Sequence, residues 1–298
     1  MHETMMESHR LNIRVTVLLL LAVLTFTGCQ PDPLPGPTLP ETATQIPLAP
    51  SPSITSTTTL TPTPTPLPWA GFSVSSPLAD ISLTDLRSIL SEPFLMPAPG
   101  EDGGHHGADF AYYSRGTHET MVGLPIYSML SGIVAAVTDK KNPYGNLVIV
   151  ESKLMSIPPG FLASVPVPTH LSPYPYDPRL IYCSSLLNQQ WQADPVSIYI
   201  LYGHLVEPTS LNVGDVVVSG QQIGGVGNTG MSGNPHLHLE MRIGPGDSKF
   251  SPMGYYDTSA TPDEMLAYCD WRVSGRYVLL DPMVWIEAWL AFSTSGGG

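Results

Sequence analysis

The chain has 298 residues, 42% of them hydrophobic, and a formal charge of −13 from 12 Lys and Arg against 25 Asp and Glu. That length accommodates one large or two small domains, and the apolar fraction suffices for a sizeable core. Such acidity repels phosphate backbones, which argues against nucleic acid as a partner, and it keeps an exported protein soluble.

The N-terminus is the first distinct segment. His9, Arg10 and Arg14 precede an uncharged apolar run at residues 15–26. A run of about a dozen residues is too short to span a bilayer and fits the apolar region of an export signal. It ends in Phe26-Thr27-Gly28-Cys29. Small residues before a cysteine resemble a bacterial lipobox, in which the thiol is lipidated and becomes the mature N-terminus. Phe26 stands where that motif usually has Leu. Residues 1–29 are therefore expected to be a lipoprotein-type signal, leaving the protein exported and anchored through Cys29 to the outer side of the cytoplasmic membrane. A plain secretory signal or an uncleaved anchor is the alternative.

Residues 30–68 hold 12 prolines, with Thr and Ser filling most of the remainder. Such a stretch cannot bury enough apolar area to offset the entropy of ordering it, so a disordered or polyproline tether is expected. At roughly 3.1 Å per residue its reach is on the order of 100 Å. Beyond Cys29 the cysteines are Cys183 and Cys269. In an oxidising compartment they form either a disulfide or two buried thiols.

From residue 69 to residue 298 the composition is globular. A short helix is expected at residues 82–90, with Ser82 or Thr84 as N-cap and Leu83, Leu86, Ile89 and Leu90 on one face. Short β-type runs come next at residues 126–129, 132–138, 146–151, 198–202, 216–218 and 236–243. Turn signals at residues 143–146 and 212–215 divide them. Many short strands point to a mainly β fold, an antiparallel sandwich or barrel, with a few short helices. A C-terminal helix is expected at residues 282–292, with Asp281 as N-cap and Pro282 at its first position. Residues 153–197 interrupt the pattern as a Pro-rich insertion that either walls a cleft or decorates the surface.

The chemistry lies in the histidines. In the run from Pro235 to Ile243, period-two alternation puts Leu237, Leu239, Met241 and Ile243 on one face. His236, His238, Glu240 and Arg242 fall on the other, and two imidazoles two residues apart suit one metal ligand plus one catalytic base. A second cluster, Gly103-Gly104-His105-His106-Gly107-Ala108-Asp109, offers an imidazole and a carboxylate four residues apart, both good zinc ligands, in a glycine-rich stretch able to bend close. His204 closes an apolar strand in Tyr202-Gly203-His204-Leu205. Taken singly, each element is a common feature of soluble proteins. Together, His105, Asp109 and His238 supply three ligands and leave a fourth position for water, the pattern of catalytic zinc.

These motifs resemble the lysostaphin or LytM-type zinc endopeptidases. That family carries His-xxx-Asp, a later isolated His, and His-x-His, in this order; here they are His105–Asp109, His204 and His236–His238. The connecting segments also match, from Gly123-Leu124-Pro125 through Tyr144-Gly145-Asn146 and Val213-Gly214-Asp215 to Gly227-Asn228-Thr229-Gly230. The resemblance covers residues 93–243. It implies an antiparallel β-sheet groove with one Zn2+ on its floor, held by His105, Asp109 and His238. It further implies that His204 and His236 orient or deprotonate the water and stabilise the oxyanion, and that the substrate is a peptide of peptidoglycan. Glu240 either supports the site from behind or pairs with Arg242; His106 neighbours the site without being a ligand, and His118 and His170 read as loop histidines. Two departures bear on substrate choice: Ser232-Gly233-Asn234-Pro235 replaces the family's Ser-Thr-Gly-Pro, and the insertion at 153–197 is unusually long. Three rival readings are a non-catalytic relative that activates a wall amidase, a lipoyl-like carrier hairpin, and an endopeptidase acting on a secreted protein. The first usually loses metal ligands, whereas all five chemical positions are present here. The second requires a lysine at a hairpin tip, which this chain lacks there.

Overall fold

A computed structural model of the chain describes residues 71–112, 119–167, 180, 182–184 and 195–296. The export signal, the tether, His118, His170 and Trp191 lie outside the described residues. The described residues all belong to the compact unit that spans Pro62–Gly298.

In chain order the strands and helices are β1 (Leu90–Glu92), β2 (Ala108–Phe110), β3 (Pro125–Tyr127), β4 (Gly132–Lys141), β5 (Gly145–Lys153), α1 (Pro159–Leu162) and β6 (Ser197–Leu205). They continue with β7 (Val216–Val217), β8 (Gln222–Gly225), β9 (Leu237–Gly244), α2 (Pro262–Arg272), β10 (Val278–Leu280) and α3 (Pro282–Thr294). The main sheet runs β1-β2-β9-β6-β5-β4-β7, all antiparallel, and β10 pairs with β9 beyond the end of β2. β3 and β8 form a separate two-stranded ladder. The mainly β, antiparallel architecture is the one the residue pattern points to.

β5 and β6 are largely apolar on both faces, because both are covered, whereas β9 is apolar on one face only. One face carries Val148, Val150, Ile198, Ile200, Tyr202, Leu237, Leu239 and Met241 into the larger core. The other carries Leu147, Ile149, Tyr199 and Leu201 against Phe250, Trp271 and Tyr277 from the segment after β9. β9 has the polar face that alternation predicts, and the second layer buries it. Glu240 and Arg242 are sealed beneath the C-terminal segment, and the Arg242 guanidinium lies 4.8 Å from the Trp271 ring centroid.

The helix expected at residues 82–90 is only a 3-10 turn at Leu86–Ile89, capped at Asp85 without a side-chain bond. Ser82 Oγ engages the side chains of Thr84 and Asp85 and so caps nothing. Leu90 instead enters the sheet opposite Phe110. At the C-terminus Asp281 accepts from the Met283 and Val284 amides and Pro282 begins α3, as the sequence predicts. α2 has a full capping box, Thr261 with Glu264. Cys183 and Cys269 are disulfide-bonded, joining the insertion to α2. Leu180 and Cys183 pack on Cys269 and Val273. Among the described residues of the insertion none lines the cleft that holds the histidines; α1 packs on α3, Leu180 and Cys183 pack on α2, and Tyr268 and Arg272 of α2 line the cleft.

Candidate metal centre

Strand pairing assembles the site. β2 lies against β9 with Asp109 opposite His238, and β6 lies on the other side with Gly203 opposite His238. Directly opposed residues share a face, so Asp109 and His238 meet although 129 positions separate them. Regular alternation would turn His204 to the face of Tyr202. Its φ of +59° breaks the alternation and brings the imidazole round to His236, 4.7 Å between ring centroids. Gly107 permits the close approach of β2: a Cβ there would stand 2.5 Å from Leu239 O and 2.8 Å from His238 Cε1.

All five residues named from the sequence converge on one cleft of about 510 Å³. Asp109 Oδ1 is 2.7 Å from His238 Nδ1 and 3.2 Å from His105 Nε2, and Asp109 Oδ2 is 3.2 Å from His236 Nε2. The other nitrogens fix the tautomers. His105 Nδ1 is 2.9 Å from Pro93 O, His204 Nδ1 is 2.7 Å from Thr229 O, and His236 Nδ1 is 2.7 Å from Asn234 O. A carbonyl oxygen only accepts, so each of these Nδ1 atoms carries the hydrogen. In its neutral form each of these rings turns an Nε2 lone pair inward. A lone pair 3.2 Å from a carboxylate oxygen, as at His105 and His236, is repulsive unless a proton or a cation lies between. His238 has the opposite orientation, with Nδ1 inward and Nε2 buried without a hydrogen bond, 3.6 Å from Glu240 Oε2.

The charges obey the same geometry. Burial disfavours the Asp109 carboxylate, but hydrogen bonds from His105, His236 and His238 hold its pKa well below the usual range. Burial likewise opposes the His238 imidazolium, yet Asp109 and Glu240 on either side raise it to about 9. His105 is also raised, Asp109 outweighing burial. His204 is pushed down to about 3 by burial and by His238 and His236. His106 is pushed down to about 2 by burial, then by Arg272 and Arg242; its Nδ1 accepts from Arg242 Nη2 at 2.7 Å and its Nε2 lies 3.0 Å from Gly103 O.

His105, Asp109 and His238 thus offer one ligand atom each within 4.8 Å of one another. Ligands about 2.0 Å from a tetrahedral ion stand about 3.3 Å apart, so the spacing of His105 and Asp109 suits zinc. Residues 192–252 match the family model described as Peptidase family M23, a stretch that holds His204, His236 and His238. The M23 match ends before α2 and begins after β2, so His105 and Asp109 join the site through sheet pairing alone. Solved structures similar to this chain include a zinc-containing peptidase from Vibrio cholerae, at 22% identity over 57% of this chain and 37% of that one, TM-score 0.32. The catalytic domain of lysostaphin from Staphylococcus simulans aligns at 18% identity over 70% of this chain and 99% of that one, TM-score 0.35. The prophage-encoded M23 protein EnpA from Enterococcus faecalis aligns at 19% identity over 55% and 87%, TM-score 0.31. This chain spans well under half the length of the Vibrio cholerae protein. No curated protein matches it.

The residue pattern does not disclose the second wall of the cleft. Asp102 accepts from Tyr256 Oη, Tyr268 Oη and Arg272 Nε, each at 2.6 Å. Arg272 Nη1 donates to Tyr144 Oη at 3.0 Å, and Tyr144 Oη donates to Glu240 Oε2 at 2.7 Å. The capping signal Thr261-Pro262-Asp263-Glu264 announces α2, but nothing local says which sheet face that helix covers.

Proposed function

We propose that this chain is an M23-type, zinc-dependent endopeptidase that hydrolyses peptide bonds of peptidoglycan. The observation carrying the proposal is the convergence of His105 Nε2, Asp109 Oδ1 and His238 Nδ1 in a cleft open to solvent. Three N and O ligands with a remaining open position are the pattern of catalytic zinc; structural sites are closed by four protein ligands. The donor set fits: two imidazoles, one carboxylate, and a ligand histidine whose far nitrogen is backed by Glu240. A zinc ion held there lowers the pKa of a water molecule toward 7 and polarises the scissile carbonyl.

The remaining chemistry belongs to His204 and His236. Each presents an Nε2 lone pair, kept there by the bond from its Nδ1–H to a backbone carbonyl. His236, 3.2 Å from Asp109 Oδ2, is placed to take the proton of the attacking water, because the carboxylate stabilises the imidazolium that results. That proton is then available for the leaving amine. His204, buried and disfavouring charge, orients the water through Nε2. The lipid anchor at Cys29 and the tether at residues 30–68 would let the domain at 69–298 work in the wall at a distance from the membrane.

Purified chain should hold about one zinc by elemental analysis and release new amino groups from peptidoglycan. His204→Ala should keep the metal and lose the release. Zinc binding without amino-group release from any wall preparation sinks the peptidoglycan assignment, and release surviving in His105→Ala sinks the ligand assignment.

A further inference from the structure

We infer that Arg272 is a substrate-binding residue of the cleft: the free edge of its guanidinium takes a carboxylate of the peptide, so the chain selects cross-links that carry a free carboxylate near the bond to be cut. The inference rests on the proposed peptidase reading and names the class of substrate which that site selects.

Arg272 lines the metal cleft together with Asp102, Tyr256 and Tyr268. Three of these four lie beyond residues 192–252, so the M23 match says nothing of this wall. The guanidinium is fixed in place. Its Nε donates to Asp102 Oδ1 at 2.6 Å and its Nη2 to Asp102 O at 3.4 Å. Its Nη1 donates to Tyr144 Oη at 3.0 Å. The Tyr144 and Tyr268 ring centroids lie 5.8 and 5.7 Å from Cζ. A guanidinium has five N–H donors in one plane, and these bonds use three. One hydrogen on each terminal nitrogen is left without an acceptor among the described residues. A pair of that kind binds a carboxylate through two parallel bonds. Asp102 does not compete for the pair: its Oδ2 is already filled by the Tyr256 and Tyr268 hydroxyls. The Arg272 side chain is only 11% exposed, so a carboxylate that reaches it leaves water, where a charge-assisted bond is strong and an amide in its place gains far less. Position decides which carboxylate is read. The Tyr144 ring is 5.8 Å from Arg272 Cζ and 5.8 Å from the His238 ring. At about 3.3–3.6 Å per extended residue, the anion sits within about three residues of the bond cut beside His238.

The test uses two cross-linked peptidoglycan peptides, identical except that the free α-carboxylates of one are carboxamides in the other. Binding to the full chain is measured by calorimetry without metal, which prevents turnover, and KM and kcat are measured on the zinc-loaded chain. The wild-type chain should bind the acid about tenfold or more tighter than the amide. In Arg272→Lys, which keeps the charge opposite Asp102 and loses the paired donors, the two affinities should become equal; KM for the acid should rise with kcat little changed. A residue that only braces the wall would weaken both peptides alike and leave their ratio untouched. Arg272→Gln supplies the same comparison if thermal unfolding shows that Arg272→Lys does not fold. Equal binding of acid and amide by the wild-type chain overturns the inference, as does binding of neither, or a ratio that survives substitution. Discrimination in binding without any release of amino groups sinks the peptidase reading and leaves this one standing; release without discrimination does the reverse.

Discussion

Tyr144 Oη and His238 Nε2 approach the same atom, Glu240 Oε2, at 2.7 and 3.6 Å. Glu240 is fully buried, its other oxygen is taken by Arg242, and burial is overcome by Arg242 and His238 so that its pKa lies well below the ordinary value. It therefore stays a carboxylate and aims negative charge at the back of a ligand histidine. Glu240→Gln removes that charge while keeping the shape. Zinc affinity, read by chelator competition, should fall by about 10–100-fold. Tyr144→Phe keeps the ring beside His238 and loses the donor to Glu240 and the acceptor for Arg272 Nη1, but removes no charge from behind His238, so its effect on zinc affinity should be about 1 kcal/mol or less. Equal affinities in wild type and Glu240→Gln would show that the carboxylate only pairs Arg242.

Asp102 ties the loop before His105 to the helix that walls the cleft. Its oxygens accept from Arg272, Tyr256 and Tyr268, and the Asp102 and Arg272 side chains are about nine-tenths buried. Asp102→Asn leaves the Arg272 charge without its partner. Breaking a pair of this kind costs about 3–5 kcal/mol, which thermal unfolding would register. Zinc content of the folded variant should be unchanged, because neither residue touches the ligand atoms.

The legible parts of this fold are those with local periodicity. β4, β5 and β6 are announced by β-branched and aromatic runs between turn residues and β9 by its alternation, and the observed ends differ from the expected ones by a few positions. The ligand set is legible because its residue types are rare in combination. β1 and β2 are three residues each, too short for any period to register. The burial of Glu240 and Arg242 is invisible in the sequence for a different reason. Alternation assigns side chains to a face but cannot say what covers it, and the cover comes from Trp271 and Arg272, distant in the chain. His204 is similar: its site-facing direction depends on a left-handed φ that no residue pattern encodes.

Metal binding should release a proton. In the metal-free chain His238 titrates at about 9, held up by Asp109 and Glu240 against burial. A raised pKa means the imidazolium persists at neutral pH, so a cation reaching Nδ1 must displace its hydrogen. Calorimetry at a pH of about 7.5 in buffers of different ionisation enthalpy should report release of about one proton per zinc bound. Affinity should rise about tenfold per pH unit up to about 9 and then level off. A pH-independent affinity between about 7 and about 9 would contradict the orientation assigned to His238.

The Cys183–Cys269 bond closes a loop across 86 positions and attaches the insertion to α2. Its stabilisation comes largely from restricting the unfolded chain, typically about 2–4 kcal/mol. For a domain of this size that corresponds to a fall in melting temperature of roughly 4–16 °C on reduction, at about 2–4 °C per kcal/mol. Cys183→Ser should reproduce the fall and be insensitive to added reductant. Since Tyr268 precedes Cys269 and lines the cleft, freeing the bond also loosens the wall. KM for a peptide substrate should therefore rise more than kcat falls, while zinc content stays constant. A reduced chain with an unchanged melting temperature would mean that packing of Leu180 and Val273 already holds the insertion in place.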